Sequence, residues 1–182
     1  MESNNDDNIT VKYVKDHIRR VQKRLNDFIF ELYKRLYTHD SSKLKEPEYS
    51  LWLKMDEEPR YKYGTQEYKD KMKRHEYVFK LHYKHNRHHP EHFEFDSVSG
   101  MDLIDLIEML IDWISYKDEI SVEDAIQLVE TQSNRYNLSE DLKCILKNTL
   151  INHYSRMSFL IDKNDDKSKF DNGENHFINI II

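Results

Sequence analysis

Glycine, proline, alanine and cysteine are all scarce in this chain. Its 182 residues include three Gly, three Pro, one Cys and a single alanine, Ala125. So few chain-breaking residues leave little turn chemistry, which argues against a sandwich or barrel and for a few long helices. One cysteine excludes an internal disulfide. Cys144 lies in the helical pattern "LKCILKNTL" and is expected to be a small core residue. A membrane-spanning run is also missing, because the longest apolar stretch, 103–116, is interrupted by Asp105, Glu108 and Asp112. The acidic opening "MESNNDDNIT" lacks the character of a secretory signal. No global basic excess marks a nucleic-acid binder, since the formal net charge is −6.

What is present is bulky and charged. Hydrophobic residues make up 38% and charged ones 34%, and twelve Tyr with eight Phe supply core material that a disordered chain lacks. The length suits one domain with a real core. Charge is segregated along the chain: residues 9–37 carry eight Lys/Arg against three acids, and 60–89 carry nine against three. Residues 91–124 carry eleven acids against one lysine. Such asymmetry suits either a basic cleft wall for a phosphorylated small molecule or two oppositely charged faces packed together. Abundant Lys, Asn and Ile beside one alanine resemble a viral or low-GC microbial coding sequence. The expected location is the cytoplasm, the host's if the chain is viral.

Periodicity predicts an all-α protein, a bundle of about five to seven helices. From Thr10, a candidate N-cap, Val11, Val14, Ile18, Val21, Leu25, Phe28, Leu32 and Leu36 step by three and four. A polar stretch, "THDSSKLKEPE", closes that helix, and a shorter one is expected over 48–56. Thr65 caps the next, which should run until Pro90 stops it. After a loop over 91–100 comes a helix over 101–117, apolar nearly all round and therefore expected to be buried. Ser121 and Asp124 suggest a capping box for a helix over 122–132, and Ser139 caps the last, to about 154. The domain is thus 10–154, followed by a polar tail over 155–182 that ends in "HFINIII".

Four separated segments offer metal-ligand side chains. His17 lies about 40–60° off the apolar stripe of the first helix, at the core margin. His39 and Asp40 adjoin where that helix gives way to "THDSSK", with Lys43 three residues on. "YKHNRHHPEH" brings the third group, in a region where His82, His85, His88 and His89 fall within eight residues. His75, His82 and His89 share a helical face, but each step of seven is about 10.5 Å, too far for all three to bind one ion. The pairs able to converge on spacing are His82/His85 and His85/His89. The fourth group is the acidic stripe Asp105, Glu108 and Asp112 on a greasy helix, which needs cations if it faces inward. Taken singly, His17 also suits a core-margin histidine hydrogen-bonded to a neighbour, the His-Asp dipeptide is weak evidence, and the histidine-rich and acidic groups also suit solvated faces.

The order H17…H39-D40…H82…H88-H89…D112 resembles the HD superfamily of metal-dependent phosphohydrolases. "HIRRV" is similar to its first-helix element, "HDSSK" to its HD-x-x-K element, and Asp112 in "EMLIDW" to its late aspartate. His82 with the His88-His89 pair resembles members that hold two or three ions. "HDSSK", "NRHHPEH" and "LIEMLIDW" together resemble, more narrowly, a small uncharacterised HD-like family of bacteria and their viruses, over about residues 10–150. The chain lacks the Gly-Tyr-Pro element of cyclic-dinucleotide phosphodiesterases and the Glu-Asp pair of alarmone hydrolases.

The resemblance implies a metal set of His17, His39, Asp40, His82, His88, His89 and Asp112. Mixed imidazole and carboxylate donors suit one or two ions of Mn, Fe, Ni or Zn better than Mg. Asp40, bridging ions, and Lys43 are then the catalytic candidates. Lys43, Asn86 and Arg87 are the candidates for substrate contact. Glu48, Glu91 and Glu108 are expected behind the ligand histidines, fixing their tautomers. His75, His85 and His92 are left out of the site. The implied activity is phosphomonoester or phosphodiester hydrolysis on a nucleotide or nucleotide-like messenger. The alternatives are a metal-containing protein that sequesters a nucleotide without turnover, and a structural role with the tail as an oligomerisation strand. Expected partners are a phosphorylated small molecule and, as an open option, further copies of the chain; no membrane is expected.

Overall fold

The structure, a computed structural model, describes residues 9–95 and 97–154. The predicted tail, 155–182, lies outside the described residues. Those described form seven α-helices linked by short helical turns, with no strand among them. Among the described residues, no helix is long and apolar enough to cross a membrane. The chain divides into two compact units, one ending at Ser41 and one beginning at Ser42.

The first unit is built on α1 (Ile9–Thr38), whose 30 residues span about 45 Å at 1.5 Å per residue. Thr10, expected as its cap, lies inside the first turn, and Thr38 is the last residue. The His39 backbone N–H donates to the Arg35 carbonyl at 2.8 Å. Asp40 then turns left-handed, with φ of 52°, a conformation Asp tolerates better than most residues. No residue of α1 is buried. Its stripe is exposed at Val14, Ile18, Val21, Leu25, Phe28 and Leu36.

The second unit is a bundle with two apolar centres. A 3₁₀ turn (Ser41–Leu44) crosses the boundary and leads to α2 (Glu48–Asp56), α3 (Gln66–Arg74) and α4 (Glu76–His85). Trp52 and Met55 from α2 and Val78 from α4 form the smaller core, with Leu51, Met72 and Phe79 packed around it. Two more 3₁₀ turns (Pro90–Phe93 and Ser97–Gly100) lead to α5 (Leu103–Ile114), α6 (Val122–Tyr136) and α7 (Glu140–Thr149), which runs into a wider turn (Leu150–Tyr154). Met109, Leu110, Trp113 and Ile114 meet Ala125, Val129, Leu146 and Leu150 in the larger core. The lone alanine sits at zero exposure where α6 meets that core. Burying a large apolar side chain such as Met109 or Leu110 there contributes about 1.5–3 kcal/mol.

Three expectations are revised. The single helix expected from Thr65 to Pro90 is two, broken at His75, and it stops at His85, five residues short of the proline. The Pro90 ring would collide with the residue-86 carbonyl of a continuing helix, and proline also pushes residue 89 out of helical conformation. The helix over 103–114 is not buried all round: Leu103, Ile107 and Ile111 are exposed. Cys144 is exposed and not a core residue. The caps behave as their chemistry dictates. Thr65, Ser121 and Ser139 accept from the N–H groups of Tyr68, Asp124 and Leu142. Asp102 and Asp105 make a reciprocal capping box at the start of α5.

Candidate metal centre

The end of α4 generates the site. Asn86 leaves the helix in an extended conformation (φ −122°, ψ 104°), and His89 is extended as well. His88 and His89 are thereby freed from helical directions. The turn is pinned by the Asn86 side-chain amide, which donates to the Ser42 hydroxyl at 2.8 Å and the His82 carbonyl at 2.9 Å. The His92 ring donates to the Tyr83 carbonyl at 2.8 Å and holds the far side of the loop.

Three imidazoles meet inside this turn. His82, His88 and His89 are 0%, 1% and 5% exposed. The Nε2 atoms of His82 and His89 are 2.9 Å apart, and the His88 and His89 ring centres are 4.1 Å apart. One ligand nitrogen from each of the three lies within 4.8 Å of the others. A ring nitrogen of His88 and a carboxylate oxygen of Asp112 are likewise within 4.8 Å. His and Asp side chains of the second unit are therefore close enough to hold a metal ion.

Two histidines have a carboxylate at their other nitrogen. His82 Nδ1 is 2.6 Å from Glu48 Oε1, and His88 Nδ1 is 3.2 Å from Glu108 Oε1. A carboxylate at Nδ1 favours the proton there and turns the basic Nε2 toward an ion. Glu48 is 2% exposed and also accepts from the Trp52 indole N–H at 3.1 Å. Burial alone would raise its carboxyl pKa, but the Trp52 N–H and the His82 ring outweigh burial and hold it below the usual range. The spacing fits a shared metal ion. Two nitrogens about 2.0–2.1 Å from one ion are roughly 2.8–3.4 Å apart at angles from square to tetrahedral, a range that includes the His82–His89 spacing.

The other expected residues fall in distinct places. Arg87 forms a two-pronged bridge to the fully buried Asp105, Nε to Oδ1 at 3.2 Å and Nη2 to Oδ2 at 2.8 Å. Lys43 Nζ lies 5.1 Å over the Trp52 ring. Asn86 is 8% exposed and committed to the turn. Glu91 accepts from Arg135 Nη2 at 3.1 Å and the Tyr136 hydroxyl at 3.0 Å. His75 pairs with Glu58 at 2.7 Å, and His85 is exposed. In the first unit, His39 Nε2 is 3.7 Å from Asp40 Oδ2, and His17 is exposed on α1.

Two contributors were not assigned from sequence. Trp52 both donates to Glu48 and packs edge-on against His82 at 5.9 Å, and its four-residue spacing from Glu48 is the signal for that contact. Asp105 was visible as part of the acidic stripe, but its partner Arg87 lies 18 residues away and outside any helical spacing.

Residues 6–152 match a family described as "Family of unknown function (DUF5662)". No curated protein and no solved structure matches the chain.

Proposed function

The chain belongs to the DUF5662 family of unknown function, and we propose that it is a metal-dependent phosphohydrolase acting on a nucleotide or nucleotide-like messenger. The observation that carries this reading is the buried trio His82, His88 and His89, with Glu48 and Glu108 at the rear nitrogens of two of them. Burying three imidazoles at such spacing costs desolvation and mutual repulsion if they protonate, and a shared divalent ion removes both costs. The sequence order that resembles HD phosphohydrolases adds His17, His39 and Asp40 from the first unit as further donors, and Asp112 from α5.

The ions expected are one or two of Mn, Fe, Ni or Zn. Bound there, such an ion supplies Lewis acidity and brings the pKa of a coordinated water toward neutrality. The chain's own residues do the rest. Glu48 and Glu108 orient imidazoles and fix their tautomers. Lys43 offers an ammonium to a phosphoryl oxygen, and Asn86 holds the histidine loop on α4. Arg87, locked to Asp105, keeps that loop against α5 and so holds His88 beside Glu108.

Metal analysis of the purified protein, followed by assay against an aryl phosphate and a nucleotide panel with Mn²⁺, tests this reading. A bound transition metal and metal-dependent release of phosphate or nucleoside monophosphate are expected. Metal-free protein with no turnover would overturn it. Stoichiometric nucleotide binding with no product over hours would identify a sequestering protein instead.

A further inference from the structure

The turn that carries the paired histidines is held from three helices. From α4, Tyr83 meets it twice: its ring centre lies 5.0 Å from that of His89, and its carbonyl accepts from the His92 ring at 2.8 Å. From α5, Glu108 meets His88 at 3.2 Å. The third hold comes from α6, which the proposed chemistry leaves unused. Glu91, two residues past His89, accepts at Oε1 from Arg135 Nη2 (3.1 Å) and from the Tyr136 hydroxyl (3.0 Å). Its Oε2 is buried and takes no donor from the described residues. With one oxygen out of water and undonated, this carboxylate depends on the two bonds to the other. Pro90, between Glu91 and His89, is fully buried and has its φ fixed by its ring, so little slack separates the two.

The donors to Glu91 are themselves fixed. Arg135 and Tyr136 occupy the last turn of α6, which Asn137 ends in a left-handed conformation with φ of 51°. The Tyr136 ring stacks on Trp113 of α5, with 6.1 Å between centres and 2° between planes, and packs against the larger core. The Arg135 guanidinium lies 4.9 Å from the centre of the Tyr136 ring. Burial, and then Glu91, raise the pKa of the Tyr136 hydroxyl, which keeps it a donor. We infer that Arg135 and Tyr136 are positioning residues for the metal centre: through Glu91 they brace the His88-His89 pair from the larger core. Both act at one remove, since Glu91 stands between them and the histidines in the chain of contacts. A binding constellation works only while its members are held within about 0.5 Å of their bound places by packing and hydrogen bonds behind them. The effect on an ion rests on the metal reading above; the brace itself rests on the bonds to Glu91.

Co²⁺ titrated into the chelator-stripped full chain, against a chromophoric competitor, tests this. Tyr136→Phe removes the hydroxyl and keeps the ring on Trp113, and Arg135→Met removes a guanidinium at a half-exposed position. Each is expected to weaken Co²⁺ binding about tenfold, the lower end of the range for groups that hold a ligand from behind. The visible absorption of bound Co²⁺, which reports ligand geometry, is expected to shift in both variants, and Arg135→Lys to restore much of the affinity. A role in the fold alone would lower the melting temperature of the metal-free protein and leave Co²⁺ affinity and spectrum at wild-type values. That result overturns the inference. A wild-type protein that takes up no Co²⁺ refutes the metal reading and the effect on an ion. The brace is then read from amide hydrogen exchange across residues 86–93. Faster exchange there in both variants, with α5 to α7 unchanged, supports it, and unchanged exchange overturns it.

Discussion

His82 shows how far one side chain can be specified by its neighbours. Its ring is wholly buried, with Glu48 at one nitrogen, His89 at the other, and Trp52 edge-on to its face. Glu48→Gln keeps the size of the side chain but replaces the carboxylate at His82 Nδ1 with a weaker amide. Loss of such a rear carboxylate weakens metal binding by about 10–100-fold. A competition titration with a chromophoric chelator should show that drop, and unchanged affinity would mean that Glu48 serves the fold alone. Arg87 makes a second case. Removing one partner of a fully buried ion pair costs about 3–5 kcal/mol, but this guanidinium is 42% exposed, so the expected cost of Arg87→Ala is lower, about 2–3 kcal/mol. Urea denaturation measures it. A phosphate-binding role alone would leave stability unchanged and raise KM.

Most helices were readable from the sequence, because their boundaries are set by local chemistry. Thr65, Ser121 and Ser139 were identified as caps from residue type and spacing, and each accepts an N–H in the structure. The break at His75 was not readable. It lies at the seam between α3 and α4, and Glu58, just beyond α2, holds both sides of it. Arg74 donates to Glu58 at 2.6 Å, and His75 lies 2.7 Å from the same carboxylate. These contacts join residues 16 and 17 positions apart, beyond any helical period. Arg74 first, and then His75, lower the Glu58 carboxyl from the ordinary 4.5 to about 2. A lowered carboxyl stabilises the fold above its unfolded pKa and loses that contribution as pH falls through the folded value. The urea-midpoint gap between wild type and Glu58→Gln should therefore persist at pH 7 and pH 5. It should narrow steadily below about pH 4.5 and close near pH 2. A gap that does not change with pH would show that this carboxylate is not the link between the two helices. The fold of α5 was readable in type but not in exposure, since composition cannot say which apolar side of a helix finds a partner.

At the scale of the whole molecule, the histidine cluster of the second unit was readable as a set of residues and not as a geometry. His82, His88 and His89 were separable from His85 only through sequence order and the resemblance it carried. Spacing alone favoured His85 with His89, and the structure leaves His85 exposed. Pro90 decides this, because it ends α4 early and turns the adjacent pair inward. Glu48 and Glu108 were expected behind the histidines and meet His82 and His88, whereas Glu91 is engaged by Arg135 and Tyr136. Charge segregation along the chain places acid on α5 and base on α1, a contrast legible in the order of charged residues alone.

A metal ion held by the buried histidines is the premise of the proposed chemistry. The most direct measurement is metal content per chain, together with the melting temperature of wild type and His89→Ala with and without chelator. A ligand held at 100 times its dissociation constant stabilises a protein by about 2.7 kcal/mol, or roughly 5–10 °C for a chain of this size. Wild-type protein is predicted to carry a transition metal and to lose several degrees on chelation, while His89→Ala carries little metal and melts at the same temperature either way. Wild-type protein that is free of metal, and whose melting temperature is indifferent both to chelator and to added Mn²⁺ or Zn²⁺, would contradict it.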